Sequence, residues 1–478
     1  MNDDDHPHDE CGVFGTFGLH EAANLTVFGL HALQHRGQEA AGIISYDDGH
    51  FRQHRGMGEV LDNFGDEAVM RRLTGTQAIG HVRYGTSGES SLRNVQPLFG
   101  DFAFGGMALA HNGNLTNALS LRKRLVERGC LFQSTTDTEV IIHLVATSRA
   151  NSVTDRLIDA LNQLDGAYSL VAMTKDTLYG VRDPYGIRPL VLGELDGSYV
   201  LASETCALDI IGAAYIRDVE PGELVVIDAN GLKSLSPFSS THSRFCVFEY
   251  IYFARPDSTL QGINVYQARK RIGEELARES HVDADLVVPV PDSGVPAALG
   301  YANESNIPFE LGIIRNHYVG RTFIQPTDAT RHIGVKRKHN ANANELKGKR
   351  VILVDDSIVR GTTSTKIVDM VRQAGAAEVH LRISSPPTAF PCFYGIDTPE
   401  KEKLLAHKHD VASMEKLLGV DSLAFISIDG LYRAAGEEKR NSNCPQFCDA
   451  CFTGEYPVSL TDQVRAENHR VTNLTEKG

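Results

Sequence analysis

The stretch VILVDDSIVRGTTS, residues 351–364, restricts the fold of this 478-residue chain more than any other. Val351 to Val354 form a continuous apolar run, the pattern of a strand buried on both faces, and Asp355 and Asp356 follow at its carboxyl end. Open α/β sheets bind ligands at that end. Two adjacent carboxylates are costly to bury, so at least one must face a cation or sugar hydroxyls. SIVRGTT then supplies hydroxyls, small residues and a glycine just before a helix, whose first N–H groups favour a phosphate dianion. A plain strand–turn–helix needs no such acidic pair or hydroxyl-rich turn. DLVVPVPDSG leading into VPAALGYA repeats the unit, which predicts a doubly wound parallel sheet over roughly 241–455.

The chain before about residue 240 reads differently. CGVFGTFG, QAIGHVRYG, GMALAHNG, YSLVAMTKD, TLYGVRD, GSYVLAS and ELVVID are short β-rich runs bounded by turn signals. Helical spacing interrupts them over roughly 21–35, 137–149 and 153–164, which predicts a layered α+β unit over 11–240 with helices covering stacked sheets. The Ser-rich LKSLSPFSSTHSRF marks the boundary. Residues 1–10 are acidic and form a solvated leader, and 456–478 read as a polar, poorly ordered tail.

Charge narrows the function. Lys+Arg 47 against Asp+Glu 61 gives −14, which disfavours nucleic acid as a partner. No apolar run reaches the roughly 18 residues of a membrane span, and an acidic start without a targeting signal implies the cytoplasm. The acidic balance conceals one basic stretch: residues 315–350 carry nine Lys/Arg against Asp328 and Glu345. Where phosphate chemistry already needs cations, Arg321, Lys336 and Lys338 are candidates to close over a leaving group. In a reducing compartment the eight cysteines are core thiols, nucleophiles or metal ligands. Cys448 and Cys451 form a C-x-x-C, open to zinc, redox and Fe–S readings, while Cys246 and Cys392 lie in aromatic settings that would shield a metal. Cys444 is close enough in sequence to compete as a ligand, and Cys130 and Cys206 are read as core thiols.

VILVDDSIVRGTTS resembles the phosphoribosyl diphosphate (PRPP) signature of type I phosphoribosyltransferases. The resemblance implies that Asp355 and Asp356 hold the ribose hydroxyls and Mg²⁺. It also implies that Ser357, Arg360, Gly361, Thr362 and Thr363 wrap the 5-phosphate, and that Asp292, Ser293 and Gly294 receive the diphosphate, Ser293 sharing the Mg²⁺. Cys11, with QHRGQEAAGI, HVRYGTSG, AHNGNLTN and TTDTEV, resembles the class II glutamine amidotransferases, which are N-terminal nucleophile hydrolases. That likeness assigns Cys11 as nucleophile, Arg83 to the glutamine carboxylate, Asp137 to its ammonium, and Asn112 with the Gly113 N–H to the oxyanion hole. An N-terminal cysteine can use its own α-amine, of pKa near 7.7–8.0, as general base, so the Glu10–Cys11 bond must be cut to make the catalyst. The leader-bearing chain is expected to lack glutaminase activity.

Taken together, residues 11–455 resemble the glutamine phosphoribosyl diphosphate amidotransferases, in particular the leader-processed subgroup with a [4Fe–4S] cluster. The resemblance implies an α+β glutaminase half, an αββα sandwich, followed by an α/β type I phosphoribosyltransferase half with a parallel sheet. It implies ligation by Cys246, Cys392, Cys448 and Cys451, glutamine and PRPP as substrates, purine nucleotides as feedback inhibitors, and a homotetramer. Two rivals differ in kind. A glutaminase feeding a sugar phosphate leaves the VDDSIVRGTT loop without a task. A PRPP-sensing DNA-binding regulator leaves Cys11 without one and needs a basic surface outside 315–350.

Overall fold

A computed structural model of the chain describes residues 11–84, 91–239, 242–316 and 339–463. Two antiparallel sheets stack in the N-terminal half. The first runs Ala214–Asp218, Val191–Leu195, Ser198–Ala202, Gly12–Phe17 (β1), Gln77–Arg83 (β2), Ala40–Asp47, His50–Met57. The second runs Leu98–Phe102, Gly105–Leu115 (β3), Gly166–Met173 (β4), Thr177–Arg182, Leu224–Asp228, Gly231–Leu235. Strand alternation turns Val13 and Ile79 of the first sheet toward Ala110, Val171 and Leu178 of the second, and these fill the buried layer between them. Helix α1, Ala22–Ala32, covers the outer face of the first sheet, with Leu30 packed near Phe14 and Val82. Helices α2 (Ala118–Glu127), α3 (Thr138–Thr147) and α4 (Val153–Leu161) cover the second. This is the expected four-layer αββα arrangement.

The C-terminal half is built on a parallel sheet in the order Leu286–Pro289 (β5), Arg350–Asp355 (β6), Glu378–Ile383 (β7), Ser422–Phe425 (β8). Helices α5 (Val265–Glu279) and α6 (Val295–Ser305) cross at backbone contact. A Cβ on Gly273 would lie 1.8 Å from the Ala297 carbonyl oxygen, and one on Gly300 would lie 1.9 Å from that of Lys270. Only glycine at both positions permits that crossing. Helix α7, Thr362–Gln373, follows β6 and buries Ile367, Val368 and Val371 in the core of the sheet.

The structure adds elements absent from the reading of the sequence. Ala40–Asp47 and His50–Met57 form a hairpin turned by Asp48 and Gly49, both at positive φ. Asp-Gly is the dipeptide that such two-residue turns demand. Helix α2 buries Leu121 and Leu125, one turn apart. The expectation of a poorly ordered segment from 456 onward is corrected for 456–463. Val458 is buried, Ser459 accepts the Thr116 hydroxyl at 2.8 Å, and the Asp462 carboxylate accepts the N–H groups of Leu119 and Ser120 at 2.8 and 3.1 Å. Asp462 thereby caps the first turn of α2 from the other end of the chain, a favourable place for a carboxylate. Among the described residues no helix is long and apolar enough to cross a membrane.

Candidate functional site

The β1–β2 register pairs Gly12 with Val82 and so sets Cys11 beside Arg83 and Tyr84. The half-buried Cys11 thiol has one hydrogen bond among the described residues, donated to the Tyr84 carbonyl at 3.7 Å. Burial pushes the thiol up to about 11; the Tyr84 carbonyl and the Arg83 charge oppose this, and the Asp137 and Glu39 charges reinforce it. The site therefore holds a thiol, not a resting thiolate, and attack requires a base to take the proton. Arg83, Asp137 and Glu39 all lie close enough to act on Cys11 electrostatically. Arg83 is fixed by its Nη1 bond to the Asn94 carbonyl, 2.7 Å, and by Glu39, 3.5 Å from its Nε. Asp137, just before α3, accepts the Leu115 N–H of β3 at 2.9 Å. A cation anchored by Glu39 and a second carboxylate, Asp137, beside a thiol suit a zwitterionic amino acid.

Asn112 and Gly113 lie on β3, two to three residues before Leu115, whose N–H holds Asp137. Asn112 is fully buried, and among the described residues both polar atoms of its amide lack a hydrogen-bond partner. A buried orphan polar group costs of the order of 1–3 kcal/mol, and a bound oxyanion would satisfy the donor of the two, Nδ2. His111, next to Asn112 on β3, and His81, whose ring meets the His111 carbonyl from β2, are kept neutral by burial, His81 down to about 3.

Sequence reasoning missed Arg36 and Glu39. Arg36 donates from Nε to the Cys11 carbonyl at 3.4 Å and is clamped by Glu204 and by Glu249, 2.7 Å from Nη2. Its guanidinium is almost wholly buried, so losing both carboxylates would strand a charge, a change that costs roughly 3–5 kcal/mol where a buried pair is broken. Both residues fall within QHRGQE, which had been singled out, but their partners are distant in sequence.

The PRPP-signature residues gather at the carboxyl ends of β5 and β6. Asp355 and Asp356 are buried, and the Ser293 hydroxyl reaches across from the other loop to the Asp356 carboxylate. Ser357 donates to the other Asp356 oxygen at 2.6 Å, and the Asp355 carboxylate accepts the Asp356 N–H at 2.9 Å. Gly361, at φ +83, starts α7 and lays no side chain over its first N–H groups. Thr362 and Thr363 form the first turn, Arg360 is exposed beside them, and Gly294 precedes α6. Asp292 pairs with Arg315. Arg321, Lys336 and Lys338 lie outside the described residues, as does the leader.

Cys246 and Cys448 are register partners in a short parallel pair, and the Cys451 carbonyl accepts the N–H groups of Ala389 and Phe390, both at 3.1 Å. Cys392 packs against the same apolar layer. Burial first, then the charges of neighbouring thiols, pushes Cys448 and Cys451 up, with Cys246 and Cys392 among those neighbours. Arg188 is the cation that opposes the shift at Cys246 and Cys448. No group of three or more His, Cys, Asp or Glu among the described residues is arranged to hold a metal ion. Cys444 sits one turn earlier, its N–H on Asn441. Cys206 is a buried core thiol and Cys130 is half-buried.

A family model described as a glutamine amidotransferase domain matches residues 83–209, and one described as a phosphoribosyl transferase domain matches 262–384. An amidophosphoribosyltransferase of Rhizobium etli is 59% identical over 467 residues, 96% of this chain and 94% of that one. The amidophosphoribosyltransferase of Bacillus subtilis is 50% identical, with 95% of each chain covered. The solved structure of the B. subtilis glutamine phosphoribosylpyrophosphate amidotransferase complexed with ADP and GMP superposes with a TM-score of 0.89 at 49% identity, covering 94% of this chain and 98% of that one.

Proposed function

The chain belongs to the amidophosphoribosyltransferases, and from that premise we propose how its residues divide the work. The family's reaction transfers ammonia from glutamine to PRPP, giving 5-phosphoribosylamine, glutamate and diphosphate, the first committed step of purine biosynthesis. At the first site, Arg83 and Asp137 anchor the two charged ends of glutamine and Cys11 attacks its carboxamide. The thioester forms as ammonia leaves, and water then releases glutamate. Asn112 Nδ2 and the Gly113 N–H take the developing oxyanion, each donor lowering the barrier by about 3 kcal/mol. At the second site, ammonia displaces diphosphate from C1 of the ribose, held through Asp355, Asp356 and the 357–363 turn. Ammonia passes internally between the two. The observation that carries this reading is the gathering of Arg83 and Asp137 around Cys11, in one chain with the Ser293–Asp356 contact.

Two carboxylates and two hydroxyls are hard oxygen donors, a set that fits Mg²⁺. Fewer than three protein carboxylates suffice, because Mg²⁺ characteristically completes its shell with substrate phosphates and water. Bound at Ser293, Asp355 and Asp356, it would neutralise the departing diphosphate. The reading also assigns Cys246, Cys392, Cys448 and Cys451 as the residues that would hold a [4Fe–4S] cluster, supported by the pairing of Cys246 with Cys448 and by the apolar layer all four share, though the four thiols do not form a ready-made ligand group. The reading includes a cytoplasmic homotetramer inhibited by purine nucleotides, supported for the nucleotides by the relative's complex with ADP and GMP.

PRPP-dependent release of glutamate from glutamine, measured on the purified protein, tests both sites together. Glutamate release that ignores PRPP, or none at all, would sink the two-site account.

The thiol's setting supports the reading that the leader is removed, since a raised pKa calls for a base and the freed α-amine would supply one. With its pKa near 11, Cys11 of the leader-bearing chain is about one part in a thousand thiolate at pH 8. Its alkylation by iodoacetamide should rise about tenfold per pH unit from 7 to 10. In the chain that starts at Cys11, an inflection near the α-amine pKa, about 7.7–8.0, should appear as well. Identical profiles for the two forms would remove the α-amine from the mechanism.

A further inference from the structure

The end of β3 that carries Asn112 and Gly113 is gripped by two segments of the C-terminal half. One is the turn at Phe393–Gly395, next to Cys392. The Asn114 side-chain amide donates to the Phe393 carbonyl at 2.9 Å. Gly395, at φ +113, lies against Gly113: a Cβ added to it would sit 3.1 Å from the Gly113 Cα and 3.2 Å from its carbonyl carbon. Gly113 cannot retreat, because its own far side faces β4. A Cβ there would lie 2.0 Å from the Ala167 carbonyl oxygen. The Gly113 Cα, which carries the N–H donor, and the peptide that follows it are therefore sandwiched between β4 and Gly395.

The second segment holds the first in place. The Tyr394 hydroxyl donates to the Val458 carbonyl and accepts its N–H, both at 2.9 Å. Asp462 N–H donates to the Thr116 carbonyl at 3.1 Å. The turn itself is tightened by the Cys392 N–H on Thr398 Oγ1, 2.7 Å, and the Tyr394 N–H on Cys392 Sγ, 3.3 Å.

We propose that the Phe393–Gly395 turn is a brace from the transferase half that positions the oxyanion hole of the glutaminase half, with Gly395 a positioning residue for the Gly113 N–H. The proposal rests on the reading of Asn112 and Gly113 as oxyanion donors. Preorganised donors work only at the right distance, and a misplacement of about 1 Å can cost on the order of 100-fold in rate. Neither Gly395 nor Asn114 need touch glutamine to have this effect, so binding should be spared.

The test is Gly395→Ala in the full processed enzyme, beside Asn112→Ala and Asn114→Ala. Gly395→Ala should lower kcat for glutamine-dependent glutamate release at least about tenfold. The KM for glutamine and turnover with added ammonia should both stay within about twofold, and so should iodoacetamide alkylation of Cys11. Asn114→Ala, which keeps the glycine contact and loses only the bond to Phe393, should show the same split with a smaller loss. It also secures the test if Gly395→Ala does not fold. Unchanged kcat in a folded Gly395→Ala overturns the brace, as does a parallel loss of both activities, the mark of general destabilisation. Should Asn112→Ala itself leave glutamine turnover intact, the oxyanion assignment fails first, and that outcome is distinguishable from failure of the brace.

Discussion

Cys11→Ala is expected to abolish glutamine-dependent formation of phosphoribosylamine while turnover with added ammonia continues. The expected loss is on the order of 10⁴-fold or more, because no other group supplies the covalent route once the sulfur is gone. The second half of the expectation is structural. Arg36 holds the Cys11 backbone carbonyl, which alanine retains, and its ion pairs with Glu204 and Glu249 do not involve the sulfur. The Arg83–Asn94 and Asp137–Leu115 bonds likewise stay. A small vacancy in a half-buried position thus leaves the rest of the wall standing, and the transferase residues around Asp356 belong to another sheet. The measurement is product formation with glutamine and with ammonium salt at equal PRPP. Loss of both would mean that Cys11 is a structural residue or that the two chemistries share one site.

What could be read in advance was what is local along the chain. β6 and its Asp355–Asp356 pair, the 357–363 turn and α7 form one continuous stretch, so apolar run, acidic pair and hydroxyls announced each other. Cys11 and Arg83 were legible as members of short patterned segments, and the β1–β2 register then brought them together. The Asp48–Gly49 hairpin and helix α2 carry ordinary local signals, a turn dipeptide and two apolar residues one turn apart, that are weak beside the polar residues flanking them. Long-range pairing was illegible in principle. Nothing near Arg36 reveals that Glu204 and Glu249 close on it, nor near Gly113 that Gly395 packs against it. The polar composition of 456–463 pointed to disorder for the same reason. Asp462 looks like a solvated tail residue until the first turn of α2 is placed opposite it. The cysteines divide in the same manner, since C-x-x-C spacing joins Cys448 to Cys451 but only the strand pairing joins Cys448 to Cys246.

Asp356→Asn should have the opposite signature to Cys11→Ala: a loss of about 10²–10³-fold with either nitrogen source, the scale typical of removing one preorganised electrostatic contact. The substitution keeps the shape of the side chain and removes its charge. Both carboxylate oxygens now accept hydroxyls, from Ser293 in the neighbouring loop and from Ser357. An amide accepts on one side and donates on the other, so one hydroxyl must switch from donor to acceptor, and the charge-assisted contact between the two loops weakens. The lost charge also matters to Arg269, buried beneath the site and donating to the carbonyls of Tyr250, Tyr252 and Ala254. Burial lowers the Arg269 pKa to about 10, and the Asp356 charge is the first of the groups that hold it up. Without Asp356 the guanidinium keeps its three carbonyl partners and the favourable Glu204 and Glu249 charges, so the fold should survive and thermal unfolding should shift far less than activity. Cys11 alkylation should be unchanged, since none of the charges that act on the thiol is altered. If Asp356→Asn spared turnover with ammonia and lost only glutamine-dependent turnover, Asp356 would belong to the coupling between the halves, and the PRPP carboxylate would have to be sought elsewhere.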